Sequence, residues 1–421
     1  MTQTSGSSDP LRVLVLSRSY PSDVLPALGL WVERPTQLLS ERCDIRVVSP
    51  SPWCPPVPSV GPLRQYARFR KVPRREVRSG VEIERPRFLA GPGRSLYPFE
   101  ATAQELGMRK AIDRLRSSFP FDLIHAHMIY PEGVVAHRLS RRYGVPFVVS
   151  EHAPWSESWF ASQRVRREAL QAADAASALL AVSQSVRETM VSFGVNEDRA
   201  KVVSVGVDGE VFRLRPSTPR RRDQILYVGW IKPVKGVDVL LEAMALLKSR
   251  GEPGRLVLVG GAAYRTTRLR EEELRRLALS LDLGDRVSFV GRRSHDEVAR
   301  LMAESAAVVL PSRAESFGAV LVEALACGTP VVATRSGGPE DIVRDDVGIL
   351  VPPDDPRALA DAIVTVLRDF RRFPPEGLRD YALSRFSWDV IVKQVHAEYL
   401  RASGRSPAPK LDALSPLSRA S

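Results

Sequence analysis

The chain has 421 residues, 44% of them hydrophobic, a length that excludes one ordinary core and predicts two domains of roughly 150 to 200 residues each. Lys and Arg outnumber Asp and Glu by 61 to 49, and the resulting net charge of +12 favours anionic ligands such as nucleotide diphosphates, phosphorylated acceptors or acidic lipid headgroups. No stretch approaches the ~20 apolar residues of a membrane-spanning helix, and three cysteines without metal-ligand spacing argue against a disulfide framework or a zinc site.

The N-terminus is polar and lacks the basic and apolar regions of a signal peptide, so residues 1–10 are predicted to be a disordered leader. The basic composition comes without a groove-reading helix, RNP-type aromatics or a zinc finger, so no nucleic-acid partner is expected. Sparse cysteines favour a reducing compartment. We therefore expect a cytoplasmic protein that is soluble or peripheral.

Short apolar runs alternate with helical or loop-rich stretches in the first half of the chain, which is typical of βαβ units and a parallel sheet. In chain order these runs are 11–17, 45–49, 121–127, 146–150 and 177–183. The proline-rich segment 51–62 is predicted to be a loop at the edge of a cleft, because proline removes donors and fixes backbone angles. We assign residues 11–207 to a first Rossmann-like domain that binds the acceptor.

A second alternation predicts a second parallel sheet. Its apolar runs are 224–229, 255–261, 286–291, 306–312, 330–334 and 348–352. The fold class is therefore α/β, with two Rossmann-like domains facing each other across a cleft. The remaining boundaries are a polar, basic linker over 208–223, a second domain over 224–385, an amphipathic helix over 386–402 that returns to the first domain, and a disordered tail over 403–421.

The sharpest chemical signal lies in 311–334, where a strand is predicted to end, a loop follows and a helix begins. Unpaired N–H groups at such a helix start bind phosphate, and here they belong to Ser316, Phe317, Gly318 and Ala319. Two carboxylates, Glu315 and Glu323, stand eight positions apart, so both can reach one extended ligand. In isolation, the same pair would also fit an ordinary cap residue and a solvated helix residue.

This pattern resembles the E-x7-E signature of family 4 glycosyltransferases, which are retaining enzymes of GT-B fold, and the resemblance extends over roughly 11–402. It implies that Glu323 accepts hydrogen bonds from the ribose hydroxyls of a nucleotide sugar. It also implies that Glu315 lies beside the hydroxyls of the donor sugar.

Segment 227–244 resembles the family's strand, glycine turn and helix. In that motif an Arg directly after the glycine, here Gly229, and a Lys before the next glycine hold the diphosphate. Lys235 matches the lysine, but Trp230 stands where the arginine is usual. Two alternatives follow: Lys232 replaces the missing cation, or Trp230 stacks on a ligand.

Two further segments match the family's ligand contacts. The resemblance of 286–312 places Gly291 and Arg292 near the nucleobase, and that of 19–39 implies that the N–H of Gly29 supports the diphosphate or the acceptor, with Arg34 nearby. No G-x-G-x-x-G motif follows the first strand, which counts against a dinucleotide-dependent oxidoreductase.

Histidines follow predicted strands in the first domain. Segments 122–139 and 148–155 also look like this family, and His127 matches the histidine near the transferred sugar. Structural roles are expected instead for His125, His137 and His152. Segment 181–212 is similar to the family segment that ends in N-G-V-D, although Val205 replaces the asparagine.

These motifs predict a retaining glycosyltransferase that moves a sugar from a nucleoside-diphosphate sugar to a hydroxyl of a glycan, lipid-linked or small-molecule acceptor. His127, Glu315 and Lys235 are the predicted catalytic residues. No Asp-x-Asp triplet suits a metal, so we expect no metal and no cofactor. Another GT-B activity, such as an epimerase or a phosphorylase, stays an alternative, as does a catalytically weak sugar-nucleotide-binding protein.

Segment 64–78 is strongly basic. Its seven cations, interleaved with aromatic residues, face one acid, Glu76. We predict that it contacts either an anionic membrane, at the inner face of the cell membrane, or the acceptor. The alternative is an ordinary solvated loop in an arginine-rich protein.

Overall fold

A computed structural model of the chain describes residues 9–26, 28–53, 67–91, 95–261 and 265–405. The predicted leader is therefore outside the described residues up to residue 8, and the predicted tail from residue 406. Within the described residues, no helix has both the length and the apolar character needed to cross a bilayer.

The first domain contains a mixed sheet of eight strands, with a separate pair of short strands beside it. The strands are β1 Arg12–Leu16, β2 Asp44–Val48, β3 Ser51–Pro52, β4 Arg75–Arg78, β5 Val81–Glu84, β6 Arg87–Phe88, β7 Leu123–His127, β8 Phe147–Glu151, β9 Ala178–Ala181 and β10 Ala200–Val202. The helices are α1 Leu30–Leu39, α2 Glu100–Ser118, α3 Val134–Tyr143, α4 Gln163–Ala175 and α5 Gln184–Ser192. The sheet order is β10-β9-β8-β7-β1-β2-β5-β4, and β4 alone pairs antiparallel, with β5.

The second domain contains a fully parallel sheet of six strands in the order β13-β12-β11-β14-β15-β16. These strands are β11 Arg221–Val228, β12 Arg255–Val259, β13 Val287–Gly291, β14 Ser305–Leu310, β15 Val331–Thr334 and β16 Gly348–Val351. The helices are α6 Val237–Ser249, α7 Arg265–Ser280, α8 His295–Glu304, α9 Ala319–Ala326, α10 Pro356–Arg368 and α11 Pro375–Phe386, and α12 Trp388–Ala402 follows this domain in the chain. Strand β11 begins at Arg221, inside the segment 208–223 that is predicted to be the linker. Arg221 pairs there with Ser305 of β14.

Both sheets reverse their strand order at a central strand, and this reversal positions the site. The chain leaves β1 toward β2 on one side and returns as β7 on the other, and β11 stands in the same way between β12 and β14. Ligands of open α/β sheets bind beyond the carboxyl ends of the strands at such a switch point. The predicted architecture of two Rossmann-like domains is confirmed.

Helix α12 lies against the first domain although it follows the second in the chain. Its apolar face, which includes Val392 and Val395, joins the core beneath β1 and β2. The hydroxyl of Tyr399 lies 2.6 Å from Nδ1 of His125 on β7. The predicted return of the C-terminal helix to the first domain is therefore confirmed.

The two stretches of chain that connect the domains run side by side. The N–H of Val207 donates to the carbonyl of Phe386 over 2.7 Å, and the N–H of Trp388 donates to the carbonyl of Val207 over 3.2 Å. A side chain at Gly206 would come within 2.3 Å of the Trp388 ring, so glycine permits this contact. The two stretches of chain that pass between the domains therefore form one narrow connection beside the cleft.

Candidate active site

A cavity of about 420 Å³ lies where the carboxyl ends of the two sheets meet. The first domain contributes loops that follow β1, β7 and β8, and the second contributes the loop after β14 with the start of α9. The lining residues are Ser17, Arg18, Ser19, Trp31, His127, Met128, Glu132, His152, Ala153, Val182, Val205, Glu315, Ser316, Phe317, Gly318 and Ala319. The cavity therefore contains one predicted catalytic residue from each domain, His127 and Glu315.

The second-domain wall is the N-terminus of α9. Gly318 precedes the helix with a left-handed φ of 95°, and no side chain caps the helix start. The loop is anchored from behind, since the N–H of Glu315 donates to Ser336 and the N–H of Gly338 donates to Glu315, both over 2.8 Å. The first amide groups of α9 are thus directed at the cavity by a fixed loop, and they favour an anion there.

Lys235 reaches Glu315 across the switch point of the second sheet. Its Nζ lies 2.5 Å from Oε2 of Glu315, and both side chains are largely buried. Gly236 follows with a φ of 61°, and a Cβ there would stand 1.9 Å from the carbonyl oxygen of Pro311. Close backbone packing, possible only with glycine, therefore brings the lysine to the carboxylate.

The loop that carries Lys235 is held by Arg313. The guanidinium donates to both carboxylate oxygens of Asp238, over 3.0 and 3.1 Å, and to Asp354 over 2.6 Å. The N–H of Arg313 also donates to the carbonyl of Val234 over 2.8 Å. Sequence reasoning did not select Arg313, because its partners are distant in sequence.

Glu323 lies one turn inside α9 and does not line the cavity. Its carboxylate makes no hydrogen bond or ion pair with the part of the chain that the structure describes, and burial raises the pKa of this carboxyl to about 7. A half-buried carboxylate without a partner is suited to accept hydrogen bonds from a ligand.

Glycines end three neighbouring strands of the second sheet. Gly229 follows β11, Gly260 follows β12 and Gly291 ends β13, and a Cβ at Gly260 would stand 1.8 Å from the carbonyl oxygen of Gly229. Arg292 lies over the ring of Trp230, with its guanidinium carbon 5.1 Å from the ring centroid. The structure thus brings together the residues that are predicted to contact the nucleobase and the diphosphate. It also gives Trp230 a cationic partner, Arg292, that lies 62 positions further along the chain.

Histidines from two neighbouring strands form the first-domain wall. His127 ends β7 and His152 follows β8; Nδ1 of His127 lies 2.9 Å from Nε2 of His152, and the rings stack. Burial lowers the pKa of His127 well below its usual value and that of His152 to about 4, so both are neutral at pH 7. His152 was assigned a structural role from sequence, yet it lines the cavity with His127.

His125 and Glu151 lie behind this wall. Nε2 of His125 is 2.8 Å from the hydroxyl of Ser150, and burial lowers its pKa to about 3. The Glu151 carboxylate accepts hydrogen bonds from the backbone of both loops, at Ile129 over 3.0 Å and at His152 over 3.0 Å, and from the indole of Trp155 over 3.1 Å. Glu151 therefore fixes the loops that carry the two cavity histidines.

Gly29 lies behind the first-domain wall. It precedes α1 with a φ of 81°, and a Cβ there would stand 2.0 Å from the carbonyl oxygen of Ser19. Only glycine lets α1 approach the loop after β1, which brings Trp31 to the cavity. Arg34 is directed elsewhere, and it pairs with Asp208 over 2.9 Å.

The basic segment ends in β4, which is the strand at the far edge of the first sheet, and its residues 64–66 are outside the described chain. Arg75 pairs with Glu84 over 3.2 Å, and Arg78 pairs with Glu33 over 2.8 Å. These ion pairs within the protein compensate part of the positive charge of the basic segment. Membrane contact by this segment stays a prediction.

Comparison with known proteins agrees with this architecture. Two Rossmann-like domains that share a cavity at their carboxyl edges define the GT-B class. Residues 36–211 match the family described as Glycosyltransferase Family 4, and residues 211–374 match Glycosyl transferases group 1. The chain therefore belongs to the family 4 glycosyltransferases, and the resemblance found in its motifs is confirmed.

Individual relatives and solved structures are similar over most of the chain. A D-inositol 3-phosphate glycosyltransferase of Acidothermus cellulolyticus is 32% identical over 355 residues, or 78% of each protein. The enzyme of that name in Xylanimonas cellulosilytica is 33% identical, over 76% of this chain and 82% of its own. Anabaena HepE, solved with UDP, shares the fold with a TM-score of 0.71 at 23% identity, over 92% of this chain and 99% of that one. Sucrose-phosphate synthase of Thermosynechococcus elongatus does so with a TM-score of 0.73 at 21% identity, over 92% and 98%.

Proposed function

We propose that this protein is a retaining glycosyltransferase that moves a sugar from a nucleoside-diphosphate sugar to an acceptor hydroxyl without a metal ion. One observation carries the proposal: the uncapped start of α9 and Glu315, which Lys235 holds in an ion pair, face the neutral His127 across one cavity. Relatives named as glycosyltransferases and a structural neighbour solved with UDP-glucose support a nucleotide-sugar donor.

Backbone amides and cationic side chains would balance the negative charge of the donor's diphosphate. The diphosphate would lie on the amides at the start of α9, with the Lys235 ammonium beside it, because both stabilise negative charge. Arg292, held over Trp230, would supply a second cation where the family's arginine is missing. Glu323 would accept hydrogen bonds from the ribose, and Glu315 would bind hydroxyls of the donor sugar.

Transfer would occur on the face from which the diphosphate departs. As the bond between the sugar and the diphosphate breaks, a departing phosphate oxygen takes the proton of the acceptor hydroxyl, and the acceptor oxygen bonds to the same face of the sugar. Lys235 and the α9 amides stabilise the charge that develops on the diphosphate. His127 is neutral, so it would donate or accept a hydrogen bond at the sugar without adding charge.

The test is a donor panel. Uridine, guanosine, adenosine and thymidine diphosphate sugars are mixed with the protein, and release of the nucleoside diphosphate is followed with and without EDTA. We expect release from at least one donor, with the same rate in EDTA. Without an acceptor the sugar passes to water, and NMR recorded before mutarotation should find the anomeric configuration of the donor in the released sugar. Strict dependence on added manganese or magnesium would contradict the metal-free mechanism.

Other products would identify the alternatives. An epimerase would convert the donor into a different sugar nucleotide, and a phosphorylase would require inorganic phosphate. Tight donor binding without turnover would identify a sugar-nucleotide-binding protein, the alternative that Trp230 raised in the sequence.

A further inference from the structure

A second pocket of about 320 Å³ adjoins the cavity on its first-domain side. The two spaces share Arg18, from the loop after β1, and Met128, from the loop after β7. Met128 has a left-handed φ of 80°, an uncommon conformation for a side chain of this size, and such strain concentrates at functional sites. The pocket therefore lies directly beside the place where transfer is proposed to occur.

The described lining of this pocket has mostly apolar or aromatic side chains, although polar atoms make up about half of its exposed surface. It includes Phe88, Leu89, Leu96, Tyr97, Tyr130 and Trp159. Leu89 is 63% exposed and Leu96 is 46% exposed, so large apolar side chains stand in solvent at the pocket. The Tyr130 hydroxyl donates to the carbonyl of Tyr97 over 2.6 Å, which occupies a polar group that a ligand could otherwise use.

Charged side chains in the described lining are limited to Arg18 and Glu100, and these two form an ion pair. A phosphate bound there would meet a cation whose charge a carboxylate already compensates. The charges of this lining therefore differ from those expected around a phosphorylated acceptor such as inositol 3-phosphate, after which several relatives are named. A hydroxyl, in contrast, can donate to Glu100 and accept from Arg18 at the junction of the two spaces.

We propose that this pocket binds the apolar part of an amphiphilic, uncharged acceptor, whose hydroxyl lies at Arg18 and Glu100 and points into the cavity. The proposal rests on the proposed glycosyltransferase function, because it makes the pocket the acceptor site of that reaction. The pocket's size and its row of apolar and aromatic side chains beside one ion pair match ligand sites in which apolar contact supplies affinity and polar groups fix orientation.

A pair of glucosides tests the proposal without turnover. Octyl β-D-glucoside below its critical micelle concentration and methyl β-D-glucoside carry the same sugar and differ in apolar length. Saturation-transfer NMR and calorimetry should give the octyl compound a Kd at least tenfold lower, and D-inositol 3-phosphate should bind more weakly than the octyl compound. Equal affinities, undetectable octyl glucoside binding or preferred binding of the phosphate would overturn the proposal.

Two matched variants locate the binding. Leu89→Asp places a charge in the pocket and should raise the Kd for octyl glucoside about tenfold. Leu106→Asp changes a leucine of α2 that is 65% exposed and outside the lining, and it should leave the Kd unchanged. Equal effects of the two variants would overturn the assignment. Acceptor-free donor hydrolysis by the wild-type protein reports on the glycosyltransferase function separately.

Discussion

Glu323 has a carboxyl group whose ionisation should control donor binding. Burial raises its pKa to about 7, and the ionised form accepts hydrogen bonds from ribose hydroxyls better than the acid does. Donor binding should therefore lower this pKa and release a proton. The Kd of the donor should therefore fall as pH rises toward 7, by at most tenfold per pH unit, and should stay constant above pH 7. Calorimetry from pH 5.5 to 8.5 measures the slope.

Two variants of Glu323 separate charge from packing. Glu323→Gln keeps the shape and has no ionisable proton, so its Kd should be independent of pH over this range. Glu323→Ala should weaken donor binding by about 1–3 kcal/mol, the cost of leaving buried hydrogen-bonding groups unmet. If Glu323→Gln keeps the wild-type slope, another group titrates and the assignment is wrong.

Glu151 should matter for stability more than its position behind the site suggests. It is fully buried, and its oxygens accept hydrogen bonds from the loops after β7 and β8. Glu151→Ala should lower the free energy of unfolding by roughly 3 kcal/mol, because several buried N–H groups lose their acceptor. Urea unfolding measures this loss. The exposed Glu157, changed to Ala, is the control, and equal losses would contradict the proposed anchoring.

At the scale of elements, the edge formed by β11, β12 and β13 should bind the anionic part of the donor. Arg292 lies over Trp230 there, and removal of a cation near a diphosphate is expected to cost about 1 kcal/mol. Arg292→Ala should therefore raise the Kd of the nucleoside diphosphate about fivefold. The neighbouring Arg293 is also exposed, and Arg293→Ala should change this Kd little. Equal weakening by both would point to net charge rather than to a specific contact.

Elements with a strong periodic or turn signal could be predicted from the sequence. The start of α9 follows from the loop that carries Glu315 and from the glycine before Ala319, and the helix ends before Gly328 as expected. All six strands of the second sheet follow from buried apolar runs, and so do five of the eight strands of the first sheet, namely β1, β2, β7, β8 and β9. The short edge strand β4 was not predicted, because its residues Arg75–Arg78 are mostly polar and lack that signal.

Contacts between elements could not be predicted from spacing. His152 joins His127 only because β7 and β8 are adjacent and parallel, in a register that pairs His127 with Ser150. The available signal for this contact in the sequence was that the two histidines stand at the ends of consecutive predicted strands, which are often adjacent in a parallel sheet. The contact between Arg292 and Trp230 had no such signal, because it depends on how β11 and β13 are placed around β12.

At the scale of the whole molecule, the cavity and the adjoining pocket belong to a chain with a strongly positive net charge. The basic segment lies on the first domain, the domain that also carries the proposed acceptor pocket. Arg75 and Arg78 are paired with carboxylates, whereas Lys71 and Arg74 are exposed. An amphiphilic acceptor held in a membrane would be reached most directly by a protein that binds the membrane with this domain.

The basic segment should therefore bind anionic vesicles reversibly. Each cation near an acidic leaflet contributes about 1 kcal/mol, and salt should screen the attraction. We expect co-sedimentation with phosphatidylglycerol-containing vesicles that declines with salt and is absent with phosphatidylcholine alone. The double variant Lys71→Glu/Arg74→Glu should release the protein, whereas Arg357→Glu/Arg371→Glu, an equal charge change at exposed sites of the second domain, should not. No binding, or equal partitioning that salt does not affect, would leave the segment as a solvated basic loop.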